Sequence, residues 1–247
     1  PTQHDVSQAP AQPAPKANWT YEELAKYDAL EFLKTCRRHY LENVRDYHCK
    51  FNMRERAGTG LGAQQVIAIE FRERPYSVEM NWLENPAGAR RISYVEDRWV
   101  KEGRQLALVV PSGFGNIVLP GGLKLDIHGK EFEKSSSRCV DQFGFRKTLE
   151  RAIQLCEAAK GDPTFSVKYA GRSEYAGRPQ YVLERRLPYS EGEVTFPDRL
   201  AVFFIDAESL TPTAVWSYAD EQKQRALGEF ITTDVEFNVG LADADFE

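Results

Sequence analysis

No run in this sequence approaches the ~20 consecutive apolar residues that a membrane-spanning helix requires. The longest apolar stretches are strand-sized, such as Leu200-Ala-Val-Phe-Phe-Ile205. A basic excess is missing too: 32 Lys and Arg stand against 37 Asp and Glu, a formal net charge of -5. Nucleic-acid binders concentrate positive charge on one face. Here most of the basic pairs are diluted by acids or apolar residues, as in Arg54-Glu55-Arg56, Arg72-Glu73-Arg74 and Glu184-Arg185-Arg186, and read as solvated strand and turn faces. No nucleic-acid partner is expected.

Catalytic signatures are equally scarce. There is no Gly-x-Ser-x-Gly elbow, no Walker-type loop and no His-Glu-x-x-His helix. Gly58, Gly60 and Gly62 lack the sixth-position glycine and the following helix of a nucleotide loop, so they read as a hairpin turn. The 4 histidines, at positions 4, 39, 48 and 128, are scattered. His39 sits beside Arg38 on a helical pattern, and His48 falls on the polar parity of a strand. The carboxylate pairs Glu131/Glu133 and Asp243/Asp245 lie in a loop and a tail, where solvent leaves such groups unperturbed. Asp126-Ile-His128 is the best remaining polar candidate, and on it rests a minor alternative, a hydrolase on an unfamiliar β-scaffold. The chain is read as no enzyme and as needing no cofactor.

The 4 cysteines, at 36, 49, 139 and 156, form no Cys-x-x-Cys pair and have no histidine at zinc-site spacing, so no metal site is expected. Buried thiols and one structural bridge remain equal alternatives. Were one helix to run from Cys139 to Cys156, they would stand about 25 Å apart and could not be joined.

What is present is β-patterning. With 42% hydrophobic and 12% aromatic residues, the 247-residue chain can form one large globular domain. Residues 1–18, rich in Pro, Ala and Gln, cannot bury enough surface to offset their ordering entropy and read as a flexible tether. The domain is expected over 19–247. Thr20-Tyr-Glu-Glu23 has the form of a capping box, and Leu24, Tyr27, Leu30, Leu33, Cys36 and Tyr40 follow at helical spacing. Tyr47, Cys49, Phe51 and Met53 then alternate with polar residues, and Ile67, Ile69 and Phe71 do so after the glycine turn. Beyond Arg74-Pro75 the alternation returns at Tyr76, Val78, Met80 and Trp82, and shorter strands are expected over 90–96, 98–102 and 105–110. Residues 111–137 read as loop. A second helix is expected over 138–160, with Phe145, Leu149, Ile153 and Cys156 on one face and a stop at Gly161-Asp-Pro163. Five strands follow: 164–170, 180–187, 199–206, 212–219 and 226–239. Short connections predict antiparallel neighbours.

Three segments resemble the LolA/LolB-like superfamily of outer-membrane lipoprotein carriers, and more closely an exported bacterial family related to it that has no assigned activity. They are Ile67-Ala-Ile-Glu-Phe-Arg-Glu-Arg-Pro-Tyr-Ser-Val-Glu-Met80, Tyr94-Val-Glu-Asp-Arg-Trp-Val100, and the closing stretch from Thr233 through Asn238 to Phe246. The opening helix and Tyr47-His-Cys49-Lys-Phe51 also fit, and 111–137 is an insertion. The resemblance implies an α+β fold: a strongly curved antiparallel half-barrel of about 11 strands, its concave face lidded by two main helices. It also implies an exported, periplasmic or cell-envelope protein, with any leader lying before Pro1. In the carriers a basic residue bonds the lid shut. Arg74 matches the Arg-Pro motif, but no residue matches that one.

A curved sheet lined with apolar groups favours acyl chains, at about 0.8 kcal/mol per buried methylene. The candidate lining is Phe51, Met53, Ile67, Ile69, Phe71, Val78, Met80 and Trp82 from the sheet, with Phe145 and Leu149 from the second helix. The same alternation also suits a solid core. Two functions therefore stand: an envelope binding protein for a lipid or acylated, lipoprotein-like ligand, or a protein-interaction and envelope-sensor module whose cavity has collapsed.

Overall fold

Strand β1 (Asp46–Ala57) is the seam of the molecule, pairing with β3 (Gln65–Glu73) on one side and with the late strand β13 (Ala226–Phe237) on the other. The computed structural model describes residues 19–133, 139–175, 177–192 and 195–247; the tether expected over 1–18 lies outside them. From β3 the sheet runs outward through β4 (Tyr76–Glu84), β5 (Ala89–Val95), β7 (Arg104–Pro111) and β6 (Val100–Lys101). From β13 it runs through β12 (Pro212–Tyr218), β11 (Leu200–Asp206), β10 (Arg178–Arg186) and β9 (Ser166–Tyr175). Two short strands lie off this path: β2 (Gly60–Leu61) on β1 and β8 (Leu123–Asp126) on β7.

Every pairing is antiparallel, and the terminal strands β6 and β9 do not meet. The sheet is thus an open, curved half-barrel of 13 strands, 11 of them on the continuous path. The insertion read as loop departs from expectation. Its described part adds β8 and two short helices, α3 (Phe114–Val118) and α4 (Lys130–Glu133), with Ile127 and Phe132 buried as anchors.

The first helical pattern is divided. The capping box forms, Glu23 N–H donating to Thr20 Oγ1 and Thr20 N–H to Glu23 Oε2. Helix α1 (Tyr21–Tyr27) then ends at Asp28, whose backbone is extended and whose carboxylate accepts from Glu31 N–H at 2.9 Å to open α2 (Ala29–Asn43). An aspartate that can satisfy an orphan N–H favours a cap over a helix interior. The second helix also starts later than expected, as α5 (Phe145–Ala159), behind a single 3-10 turn at Val140–Gln142. Gly144 sets that start. Its φ of 99° is glycine territory, and a Cβ there would meet the Phe71 ring at 3.0 Å.

Helices α1, α2 and α5 cover the concave face over β9–β11, where Phe32, Leu33 and Cys36 pack with Leu149, Leu183 and Phe203. Arg146 at the start of α5 binds Glu73 at the end of β3, at 2.8 Å, tying this roof to the sheet. On the convex face the closing segment folds back under β4 and β5. Its 3-10 turn (Asp243–Phe246) buries Phe246 beneath the Arg72 guanidinium. Asn238 joins that segment to the α2–β1 corner, accepting from Arg45 N–H and donating to Asn43 O.

Candidate functional site

Along β1 the concave face changes character. Tyr47 and Cys49 are buried, whereas Phe51 and Met53, on the same parity further along, are only half-buried. The reason is what lies opposite. Near Tyr47 the start of α5 presses Phe145 onto Tyr47, which stacks on Phe71, and the space is filled by rings 4.8–4.9 Å apart. Further along, α5 stands off the sheet and leaves a cavity of about 750 Å³.

The sheet wall of this cavity includes Phe51, Met53, Ile67, Met80, Trp82, Ile92, Val215 and Phe230. Its roof is the 139–145 segment and α5, contributing Phe143, Phe145, Lys147, Thr148, Arg151 and Leu155. Trp82 is held in place by its indole N–H, which donates to Gln65 Oε1 at 2.7 Å. The ten candidate residues therefore separate. Phe51, Met53, Ile67, Met80, Trp82 and Phe145 border the cavity, while Ile69, Phe71, Val78 and Leu149 lie in solid core, each at most 1% exposed. The greasy face is neither wholly filled nor wholly hollow.

Polar groups enter the wall where sequence reading placed none. Arg185, taken for part of a solvated face, is 3% exposed on β10 and borders the cavity. Its Nη2 donates to both carboxylate oxygens of Asp198 at 2.9 Å, and its guanidinium lies 5.2 Å from the centre of the Phe203 ring. Its Nε has no hydrogen-bond partner among the described residues. The parity of β10, on which Tyr181, Leu183 and Arg185 share one face, is the one signal that places it inward. At the mouth, Lys147 and, one turn on, Arg151 border the cavity from α5, and neither forms an ion pair with another described residue. Glu150 between them is engaged by Arg37 and Arg146.

Among the remaining polar candidates, the described carboxylates serve turns and ion pairs. Asp126 accepts from His128 N–H at 3.0 Å to close a turn, and does not meet the imidazole. Asp243 pairs with Arg72, and Asp245 accepts from Ala242 N–H within the closing turn. The side chains of Glu131 and Glu133 lie outside the described residues. His48 faces solvent beside Glu236, and Arg74 is exposed at the β3–β4 turn. No disulfide forms: Cys36, Cys49 and Cys156 are buried thiols, and Cys139 is half-buried beside the cavity. Burial raises the Cys156 thiol to about 11 and pushes Cys36 and Cys49 higher still. None of the three is a nucleophile at neutral pH. Among the described residues no helix is long and apolar enough to cross a membrane, which says nothing about strands.

An unclosed antiparallel half-barrel whose helices roof an apolar hollow is the class of fold that the strand order and the cavity define. Within that class, the chain belongs to the DUF1571 family of proteins of unknown function, whose profile matches residues 44–247. No curated protein matches the sequence. Among solved structures, similarity extends to the MucA/MucB complex of Pseudomonas aeruginosa, at 14% identity and a TM-score of 0.51, covering 89% of this chain and 60% of that one. This chain thus spans 60% of the length of the protein it matches there. Lipoprotein LppX of Mycobacterium tuberculosis aligns at 12% identity with a TM-score of 0.42, over 87% of this chain and 97% of that one. A LolA superfamily protein from Nitrosomonas europaea aligns at 9% identity with a TM-score of 0.25, over 87% and 97%. At 14% identity, the similarity with a TM-score of 0.51 speaks to the fold alone.

Proposed function

We propose that this protein is a non-catalytic binding protein of the cell envelope that holds the acyl chain of a lipid or of an acylated, lipoprotein-like ligand. The observation that carries this reading is the half-buried state of Phe51, Met53 and Trp82 on the concave face of a cavity of about 750 Å³. Apolar groups left unpacked inside a fold forfeit burial that a ligand can restore. Each methylene a ligand inserts is worth about 0.8 kcal/mol. Lys147 and Arg151 at the mouth place positive charge where a head group would emerge, which favours an anionic amphiphile. Export to the envelope is part of the same proposal, because there acylated ligands need shielding from water.

The test is native mass spectrometry and lipid extraction of the purified chain, followed by titration with a fluorescent fatty-acyl probe. Saturable one-to-one binding that Val215→Trp abolishes is expected. Empty protein, with no probe binding in the wild type, overturns the reading.

A second reading, a protein-interaction module with the hollow as a vestige, draws support from one observation. The solved structure with a TM-score of 0.51 is a protein–protein complex, of MucA with MucB. One stoichiometric protein partner recovered from envelope extracts, together with failure of the probe titration, would favour it.

A further inference from the structure

Outside the apolar wall, two separately anchored segments converge on three metal-ligating side chains. The first is the turn after β8. Asp126 closes it by accepting from His128 N–H, and Ile127, 1% exposed, pins it to the core. The second is the segment leading into α5. Tyr76 O–H donates to the carbonyls of Val140 and Phe143 at 3.2 and 2.8 Å and fixes it to β4. Between them Cys139 Sγ lies 3.4 Å from His128 Nδ1, and Asp141 Oδ2 lies 3.4 Å from His128 Nε2. One donor atom from each of the three residues stands within 4.8 Å of the other two.

We propose that His128, Cys139 and Asp141 bind one divalent cation of the zinc class, leaving a fourth position open to solvent. Zinc held at about 2.0–2.3 Å by imidazole, thiolate and carboxylate needs its donors some 3.3–3.8 Å apart. The cysteine–histidine contact already meets that spacing, and a carboxylate oxygen of Asp141 lies within 4.8 Å of both donors. Asp141 Oδ1 is buried with no hydrogen-bond partner among the described residues, so the carboxylate has acceptor capacity left over. A thiolate and a carboxylate together neutralise a divalent ion. Sulfur and nitrogen donors select zinc, or its analogue cobalt, over magnesium and calcium, which take oxygen. The side chain of His128 is 59% exposed, so the open position faces water. Cys139 also borders the cavity, and a cation here would clasp the β8 turn to the segment that roofs it. The inference does not depend on what the cavity holds.

The test titrates the reduced, metal-free full chain with Co²⁺, then displaces it with Zn²⁺ while following heat. One equivalent of cobalt is expected to give a thiolate-to-metal charge-transfer band in the near ultraviolet. Cys139→Ser should remove that band. His128→Ala should weaken zinc binding at least tenfold, whereas His48→Ala, on the exposed side of β1, should leave both unchanged. Thermal melting confirms that each variant is folded. Absence of the band in the wild type, its persistence in Cys139→Ser, or unaltered zinc affinity in His128→Ala would overturn the proposal.

Discussion

Arg185 and Asp198 form an ion pair inside the cavity wall, one guanidinium nitrogen donating to both carboxylate oxygens at 2.9 Å, with the two side chains 3% and 7% exposed. Such a pair is costly to break from one side, because the surviving charge stays buried without compensation. Arg185→Met alone, or Asp198→Leu alone, should lower unfolding free energy by about 3–5 kcal/mol in urea denaturation. The double variant should recover most of that loss. If the single variants were as stable as the wild type, the pair would not be desolvated in solution.

The two regimes of the concave face predict unequal costs for the same truncation. Phe71→Ala, in packed core, should cost about 3–5 kcal/mol. Phe51→Ala, beside the cavity, should cost less than about half as much, since much of its ring is unpacked already. The difference is read from urea midpoints, and equal losses would mean that the cavity is closed in solution.

Gly144 is held at positive φ, and a Cβ there would meet the Phe71 ring and the Tyr47 hydroxyl. Gly144→Ala should destabilise by more than about 1 kcal/mol, through both backbone strain and the close approach. It should also displace the start of α5, visible as a change in near-ultraviolet circular dichroism from Tyr47 and Phe145.

Asp206 carries a signed pH effect. Burial by itself would raise its carboxyl, but hydrogen bonds from Arg178 and Ser209 outweigh burial and hold it at about 2. A carboxylate depressed on folding stabilises the protein above its unfolded value of about 4 and loses that contribution as pH falls towards 2. The stability gap between wild type and Asp206→Asn should therefore be constant from pH 6 to 8 and shrink below about pH 4. A gap that widened with acid would refute the assignment.

Thiol accessibility offers the simplest check. One cysteine, Cys139, should react with a disulfide reagent under native, metal-free conditions, and the buried Cys36, Cys49 and Cys156 only on unfolding. Three or more fast native thiols would show that the helical roof opens readily.

Much of this fold could be read from alternation alone. The strands from Tyr47, Ile67 and Tyr76 and the late strands all appear, because one buried face imposes period two on the chain. The break at Asp28 was hidden, since helical spacing continues across it and only the cap geometry interrupts the backbone. Alternation also could not say which part of the apolar face is full. That depends on where α5 departs from the sheet, a tertiary angle set by Gly144 and the Arg146–Glu73 bridge. Arg185 was missed because charge is usually solvated, and the Asp198 that neutralises it lies in a different segment. The His128, Cys139 and Asp141 cluster was missed for a related reason. Its spacing follows no sequence pattern, and two loops meet only through the contacts of Ile127 and Tyr76 with the core.

The seam at β1 imposes an order on folding. Lys50 pairs with Thr233, so the early strand has no partner on one flank until about 180 further residues have been made. Pairings of such long sequence separation are slow to form and leave a bare strand edge open to wrong neighbours in the meantime. The nascent chain is therefore exposed to self-association along this edge until β13 arrives.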